Sequence, residues 1–166
     1  RGGVNSDQQD DPTVQDLFCE WLSEGRPSTC NVNIAPSEPG FDPNWQPNSC
    51  GPGGAANNIL AALASQVLPD FHTLNEPIQG HSFLDACNEH DRCFGSIGSD
   101  FGACNATFNI DMLNSGSCNA NPACVDAAQL YFQTVSLDQT LFDNLQLDAN
   151  CALWHRQMEF HSCPKQ

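Results

Sequence analysis

Apolar residues recur at helical spacing in several separate windows of this chain. Val14, Leu17, Phe18, Trp21 and Leu22 form the first stripe, the pattern of an amphipathic helix. Asp11-Pro12 ahead of it supplies an N-cap and a proline for the first helical position, and Gly25 ends it. Residues 26–54 then carry six prolines: Pro27, Pro36, Pro39, Pro43, Pro47 and Pro52. Regular helix and central strand are both excluded there, because proline lacks an N–H and fixes φ. Ile59, Leu60, Leu63 and Val67 predict a short helix over residues 57–68, stopped by Pro69.

After a loop over residues 69–80, a third helix is expected to open near Ser82, with Ser82-x-x-Asp85 as a capping box. Phe83, Cys87, His90 and Phe94 share its stripe, and Gly95 or Gly98 ends it. A fourth helix is predicted from Ala103 to Leu113, with Asn105, Phe108 and Met112 on one face and Ser115-Gly116-Ser117 as its stop. Asn121-Pro122 opens a helical stretch to residue 149, broken near Ser136. A cysteine-bounded tail, 151–163, follows. Residues 1–10 are polar and expected to be loose. No convincing strand pattern and no repeat is present, so the expected fold is mainly α and forms a single domain over residues 1–166.

Charge narrows the partners. Five basic residues face twenty acidic ones, a formal net charge of −15. No nucleic-acid partner is expected, because phosphate binding needs clustered Lys and Arg. The acidic residues are scattered, the pattern of a solvated surface. No apolar run approaches the ~20 residues of a spanning helix, so the chain is not expected to be transmembrane.

Ten cysteines stand at Cys19, Cys30, Cys50, Cys87, Cys93, Cys104, Cys118, Cys124, Cys151 and Cys163. The even number and the lack of any CxxC pair point to five disulfides and a secreted, extracellular protein rather than a zinc site. Proximity in sequence makes Cys19–Cys30, Cys118–Cys124 and Cys151–Cys163 plausible pairs, though spacing alone leaves connectivity open.

The candidate chemistry lies in Ala86-Cys87-Asn88-Glu89-His90-Asp91-Arg92-Cys93-Phe94. Adjacent helical residues diverge by about 100°, so His90 and Asp91 serve two neighbouring tasks. Histidine suits general-base work near neutral pH. Aspartate is a hard oxygen ligand suited to calcium, which takes its remaining ligands readily from backbone carbonyls. The glycine-rich Cys50-Gly51-Pro52-Gly53-Gly54 is a loop able to supply them. A lone histidine on a helix face is usually structural, and a lone glycine loop is usually a turn. Their conjunction with Asp91 and the flanking cysteines reverses that reading. His72, His81, His155 and His161 lack such a context and read as surface or structural. Trp21, Trp45 and Trp154 read as core or loop packing, with Trp45 close enough to the glycine loop to reach lipid.

Cys-x-x-His-Asp-x-Cys, preceded by Cys-Gly-x-Gly-Gly and followed by Cys-Asn-x-x-Phe, resembles the secreted phospholipase A2 superfamily. The closer likeness is to its divergent branch with a Cys-Gly-Pro-Gly-Gly loop. It covers roughly residues 48–114. The N-terminal helix and proline-rich loop, 11–47, and the C-terminal helical extension, 122–163, lie outside it. The resemblance implies two antiparallel, disulfide-linked helices behind a calcium loop, with Cys50 paired to Cys87 and Cys93 to Cys104. It implies Ca²⁺ held by the backbone oxygens of Ser49, Gly51 and Gly53 and the carboxylate of Asp91. His90 would deprotonate the water that attacks the sn-2 ester of a glycerophospholipid, and the Gly51 N–H would help hold the oxyanion. The implied partner is a phospholipid aggregate or membrane surface, met peripherally by a monomer.

Three residues depart from the family pattern. Ala86 stands where a further cysteine is usual, which removes one disulfide. Phe94 replaces a tyrosine whose hydroxyl supports the network behind the histidine. Asn105 replaces the aspartate that orients the histidine; its role is expected to persist, with weaker support for an imidazolium. An alternative expectation is therefore a weak or inactive calcium-binding or partner-binding relative. An acidic mineral-binding matrix protein is a further rival. Asn105-Ala106-Thr107 is also a glycosylation sequon, expected to stay unused because Asn105 faces the site.

Overall fold

The computed structural model describes residues 12–51 and 53–165. The Asp11 cap, the loose segment 1–10 and Pro52 of the glycine loop lie outside them. Among these described residues six α-helices follow in order: α1 (Val14–Glu24), α2 (Gly54–Val67), α3 (Leu84–Gly95), α4 (Phe101–Asn114), α5 (Pro122–Ser136) and α6 (Gln139–Phe160). A 3₁₀ turn, Ser115–Ala120, joins α4 to α5. Among the described residues extended pairing is limited to one isolated bridge, Ile78 with His81. The chain is thus mainly α, and five disulfides tie it.

Side-chain chemistry sets most helix starts. Thr13, not Asp11, caps α1: its hydroxyl accepts from the Asp16 N–H while the Asp16 carboxylate accepts from the Thr13 N–H, a reciprocal box. Asp100, Asn121 and Asp138 cap α4, α5 and α6 in the same sense, each accepting from an N–H three residues on. The α3 start corrects the Ser82–Asp85 box. The helix opens at Leu84, and the Ser82 hydroxyl accepts from the Leu84 N–H at 3.3 Å, two residues on, as in a local turn. α2 begins at Gly54 and α4 at Phe101, each two or three residues before the expected start.

Two cores result. The larger one joins α3, α4 and α5 through Phe83, Ala86, Cys87, Phe108, Met112, Ala127 and Ala128, with Leu68 and Ile78 beneath. The second joins α1 to the second half of α6 through Leu22, Trp154 and Met158. The Trp154 indole N–H donates to the Leu22 carbonyl at 2.8 Å. Only part of the predicted α1 stripe is buried. Leu22 faces α6, whereas Val14, Leu17 and Trp21 are exposed; Trp21 is therefore not a core residue.

The C-terminal region departs most from expectation. Residues 151–163 are not a separate tail, because α6 runs unbroken through Cys151 to Phe160. The Cys163 N–H bonds the Met158 carbonyl, and at 1.5 Å per residue Met158 lies roughly 10 Å along the helix from Cys151, whereas a disulfide tolerates only about 7 Å between Cα atoms. Cys151–Cys163 is thereby excluded. Cys19 instead pairs with Cys163 and Cys30 with Cys151. After Phe160 the chain reverses through left-handed Ser162 (φ 53°). The Cys163 N–H reaches the Met158 carbonyl and the Ser162 N–H the Glu159 carbonyl, the Schellman pattern. That turn carries Cys163 back to α1. Cys118–Cys124 forms as proximity suggested.

Candidate active site

α3 and α4 run antiparallel, because Cys93 near the end of α3 is bonded to Cys104 near the start of α4, Cα to Cα 5.7 Å. One residue further along α4, and one turn back on α3, Asn105 meets His90. His90 Nε2 donates to Asn105 Oδ1 at 2.8 Å. With the amide oxygen as acceptor, the imidazole proton sits on Nε2 and Nδ1 keeps its lone pair. Both residues are buried, His90 at 8% and Asn105 at 3% exposure. The same bond holds the Asn105 side chain inside, which leaves no space for a glycan on it in the folded chain.

The histidine ring is clamped between Phe94 and Phe108, with ring centroids 4.1 and 4.5 Å away. Burial pushes its pKa below the ordinary value, and the bond to Asn105 opposes that only partly. The imidazole is therefore neutral at physiological pH, the state a general base requires.

Asp91 points to the other side of α3, toward the loop ahead of α2. Its Oδ2 accepts the Asn48 N–H at 3.0 Å, and Cys50 is bonded to Cys87 one turn back, Cα to Cα 5.1 Å. Burial pushes the Asp91 carboxyl up to about 6, while the Asn48 N–H and Arg92 pull it down. Arg92 gives its short ion pair to Glu89 rather than to Asp91.

The loop beside Asp91 has an unusual backbone. Ser49 sits in the left-handed region at φ 64° and Gly51 at φ 103°. A non-glycine residue held there carries ~1 kcal/mol or more of strain, and such positions concentrate at functional sites. At Gly51 a Cβ would collide with Asn57 Oδ1 and touch Leu74 at 3.1 Å, so only glycine fits. Asn57, in the first turn of α2, accepts the Gly53 N–H at 2.9 Å.

Four supporting residues were not anticipated from the sequence. Asn75 accepts the Cys50 N–H through its side chain at 3.0 Å and the Phe83 N–H through its backbone at 2.7 Å. Tyr131 of α5 donates to the Leu74 carbonyl at 2.7 Å and stacks edge-on against Phe83. Asn57 is the third. Gln146 of α6 is the fourth: its Nε2 donates to the Phe94 and Ser96 carbonyls at 2.8 and 2.9 Å, and its Oε1 accepts the Gly98 N–H. Asparagine and glutamine in mixed polar stretches carry no periodic signal, so only long-range packing reveals them.

The site is covered at one end by Phe142 of α6, which packs with Phe94 and Phe101 around Cys104. Behind Gly95 lie Pro39 and Glu38, so close that a Cβ at residue 95 would stand 2.9 Å from the proline ring. Two surface grooves lie away from His90. One of about 480 Å³ runs between Val67, Leu68 and Ile78 and the Ala123 and Leu130 side of α5. The other, about 240 Å³, lies between the proline-rich loop and α6. The cluster formed by Cys30, Cys151 and His155 is no metal site, because its sulfurs are bonded to each other and His155 Nε2 donates to the Asn31 carbonyl. Comparison with protein-family models, with curated proteins and with solved structures finds no match to this chain.

Proposed function

We propose that the chain is a secreted, calcium-dependent phospholipase A2 that hydrolyses the sn-2 ester of glycerophospholipids. The observation that carries the reading is the buried His90–Asn105 pair at 2.8 Å, one residue from a carboxylate bonded to the strained loop. The donor set suits calcium: Asp91 is a half-buried carboxylate raised by burial, and a divalent cation would relieve that cost. Asp91 and the backbone oxygens of Ser49, Gly51 and Gly53 would hold it. Calcium supplies Lewis acidity to the ester carbonyl and positive charge for the phosphate.

His90 does the proton work. Its free Nδ1 accepts a proton from water as the water attacks the ester carbonyl, and returns it to the leaving alcohol oxygen. Asn105 holds the ring in the tautomer that frees Nδ1. Phe94 and Phe108 fix the ring plane. The Gly51 N–H donates to the developing oxyanion. Substrate contact at a lipid surface is supported by α2, which leaves the loop with Ile59, Leu63 and Val67 exposed at helical spacing.

Asn105 favours a second reading, a calcium-binding relative with weak or no catalysis, because a neutral amide supports an imidazolium less than a carboxylate does. Fatty acid release from mixed phosphatidylcholine micelles, with calcium and with chelator, separates the two. Calcium-dependent release that falls at least ~100-fold in His90→Gln supports the enzyme. Asn105→Asp should raise the rate about tenfold or more and move the acidic limb of the pH profile upward, since a carboxylate raises the His90 pKa. Release restored only by Asn105→Asp favours the second reading. No release from any variant, over lipids of several head groups, removes the phospholipase assignment.

A further inference from the structure

We infer that Asn75 is a positioning residue for the cation: it orients the Ser49 carbonyl through the peptide it grips. The inference rests on the calcium reading above and extends it to a residue outside the motif. Asn75 Oδ1 accepts the Cys50 N–H at 3.0 Å. A trans peptide is planar, with its C=O and N–H pointing in opposite directions. The peptide whose N–H is gripped is the one whose oxygen belongs to Ser49. Fixing one end of that plane on Asn75 fixes the direction of the Ser49 oxygen at the other.

Ser49 needs such a grip. Its left-handed φ of 64° is costly for a residue with a Cβ, and without restraint the peptide would relax by rotating. Ser49 also holds the preceding peptide, its hydroxyl donating to the Asn48 carbonyl at 2.5 Å. The Asn48 N–H is in turn held by Asp91. The two peptides flanking Asn48–Ser49 are thereby anchored, Pro47–Asn48 to the carboxylate of α3 and Ser49–Cys50 to the carboxamide of Asn75.

Asn75 is itself well braced. Its own carbonyl accepts the Phe83 N–H at 2.7 Å, just before α3, and the neighbouring Leu74 carbonyl accepts from Tyr131. His72 and Thr73 close the loop onto Pro77 and Glu76 through their backbone N–H groups. The loop over residues 71–83 thus forms a platform between α3, α5 and the glycine loop, from which the Asn75 side chain reaches the Cys50 N–H. Asn57 grips the Gly53 N–H at the other end of the loop.

The test is calorimetric titration of calcium into the intact, fully oxidised protein, using wild type, Asn75→Leu and Asn75→Asp. Leucine removes the acceptor at similar size; aspartate keeps an oxygen for the Cys50 N–H. Asn75→Leu should weaken calcium binding about tenfold, the size of one buried hydrogen bond, and Asn75→Asp should stay within about threefold of wild type or bind more tightly. Melting in chelator and the mass of the oxidised chain report folding separately. Equal calcium affinity in wild type and Asn75→Leu overturns the inference alone. Equal loss in both variants also overturns it, since a merely structural role would not distinguish them. A wild type that takes up no calcium overturns the parent reading, and this inference with it.

Discussion

The two ends of α6 serve two different halves of the molecule. The site half, α3 to α5, is crosslinked over short distances in sequence: Cys93–Cys104 spans 11 residues and Cys50–Cys87 spans 37. The terminal half, α1 with the end of α6, is crosslinked over 144 and 121 residues. The first half places chemistry, by fixing His90 against Asn105 and the glycine loop against Asp91. The second places a scaffold, by clamping the C-terminal helix to the N-terminal one. α6 belongs to both, since Phe142 and Gln146 touch the site while Cys151, Trp154 and Met158 touch α1. The difference teaches that local constraint shapes the candidate site while long-range constraint holds the lid helix in place over it.

The sharpest way to break this comparison is to cut the terminal disulfides. With Cys30–Cys151 in place, Cys19–Cys163 closes only a ring of two short arms, residues 19–30 and 151–163. Losing either bond alone should therefore cost ~3 kcal/mol, and losing both ~8 kcal/mol, more than twice the single loss, because the second cut frees a loop of over a hundred residues. Guanidinium unfolding of the two Cys→Ser pairs and of the four-site variant measures this. In the four-site variant the Trp154 fluorescence should shift to the red before helical circular dichroism falls. A single concerted transition for both signals would show that the halves are one unit.

Gln146→Ala tests whether α6 acts on the site. It leaves the Phe94 and Ser96 carbonyls and the Gly98 N–H without their partner, and should cost ~2 kcal/mol. Amide exchange should quicken at residues 96–98, next to the end of α3, while residues around Trp154 keep their protection. Unchanged exchange at residues 96–98 would make α6 a bystander there.

A smaller effect marks the seam between the halves. Glu38 is buried against Gly95, and burial first, then Asp148 of α6, pushes its carboxyl up to about 7. The folded state thus binds this proton more tightly than the unfolded state, whose value is near 4.5. The group's contribution is greatest below pH 4.5 and is lost as pH rises to about 7. Glu38→Gln should remove that slope and stabilise the protein above pH 7 by on the order of 2 kcal/mol. Melting curves from pH 5 to pH 8 for both proteins decide it; parallel curves would refute the assignment.

The same division marks what the sequence makes legible. The α3 and α4 stripes and the helical break near Ser136 follow from period and punctuation, both local signals, whereas the pairing of His90 with Asn105 came with a family resemblance. Cys50–Cys87 and Cys93–Cys104 came with a family resemblance and Cys118–Cys124 with proximity. The terminal bonds differ from the pairs that proximity makes plausible, because nearness in sequence is a poor guide once a helix intervenes. A continuous α6 carries Cys151 away from Cys163, and nothing in a short window distinguishes that helix from a loose tail. The starts of α1 and α3 turn on side-chain geometry: Thr13 closes its box with Asp16, whereas Ser82 turns onto Leu84 instead of reaching Asp85; α2 starts at Gly53–Gly54 with no side-chain cap at all. Asn57, Asn75, Tyr131 and Gln146 were silent because their partners are backbone atoms, which have no identity in a sequence.

The order of the crosslinks also bears on how the chain acquires them. A polypeptide made from its N-terminus exposes Cys19 and Cys30 early, yet their partners lie 144 and 121 residues downstream. At ribosomal speed that is a delay on the order of ten seconds, during which two unpaired thiols eleven residues apart can join each other wherever conditions are oxidising. The bonds of the site half close almost as soon as their second cysteine emerges. The expected order of bond formation therefore runs from the inside out: the candidate site is stapled first, and the N-terminal helix waits for Cys151 and Cys163 to reach it, with thiol exchange correcting any premature bond.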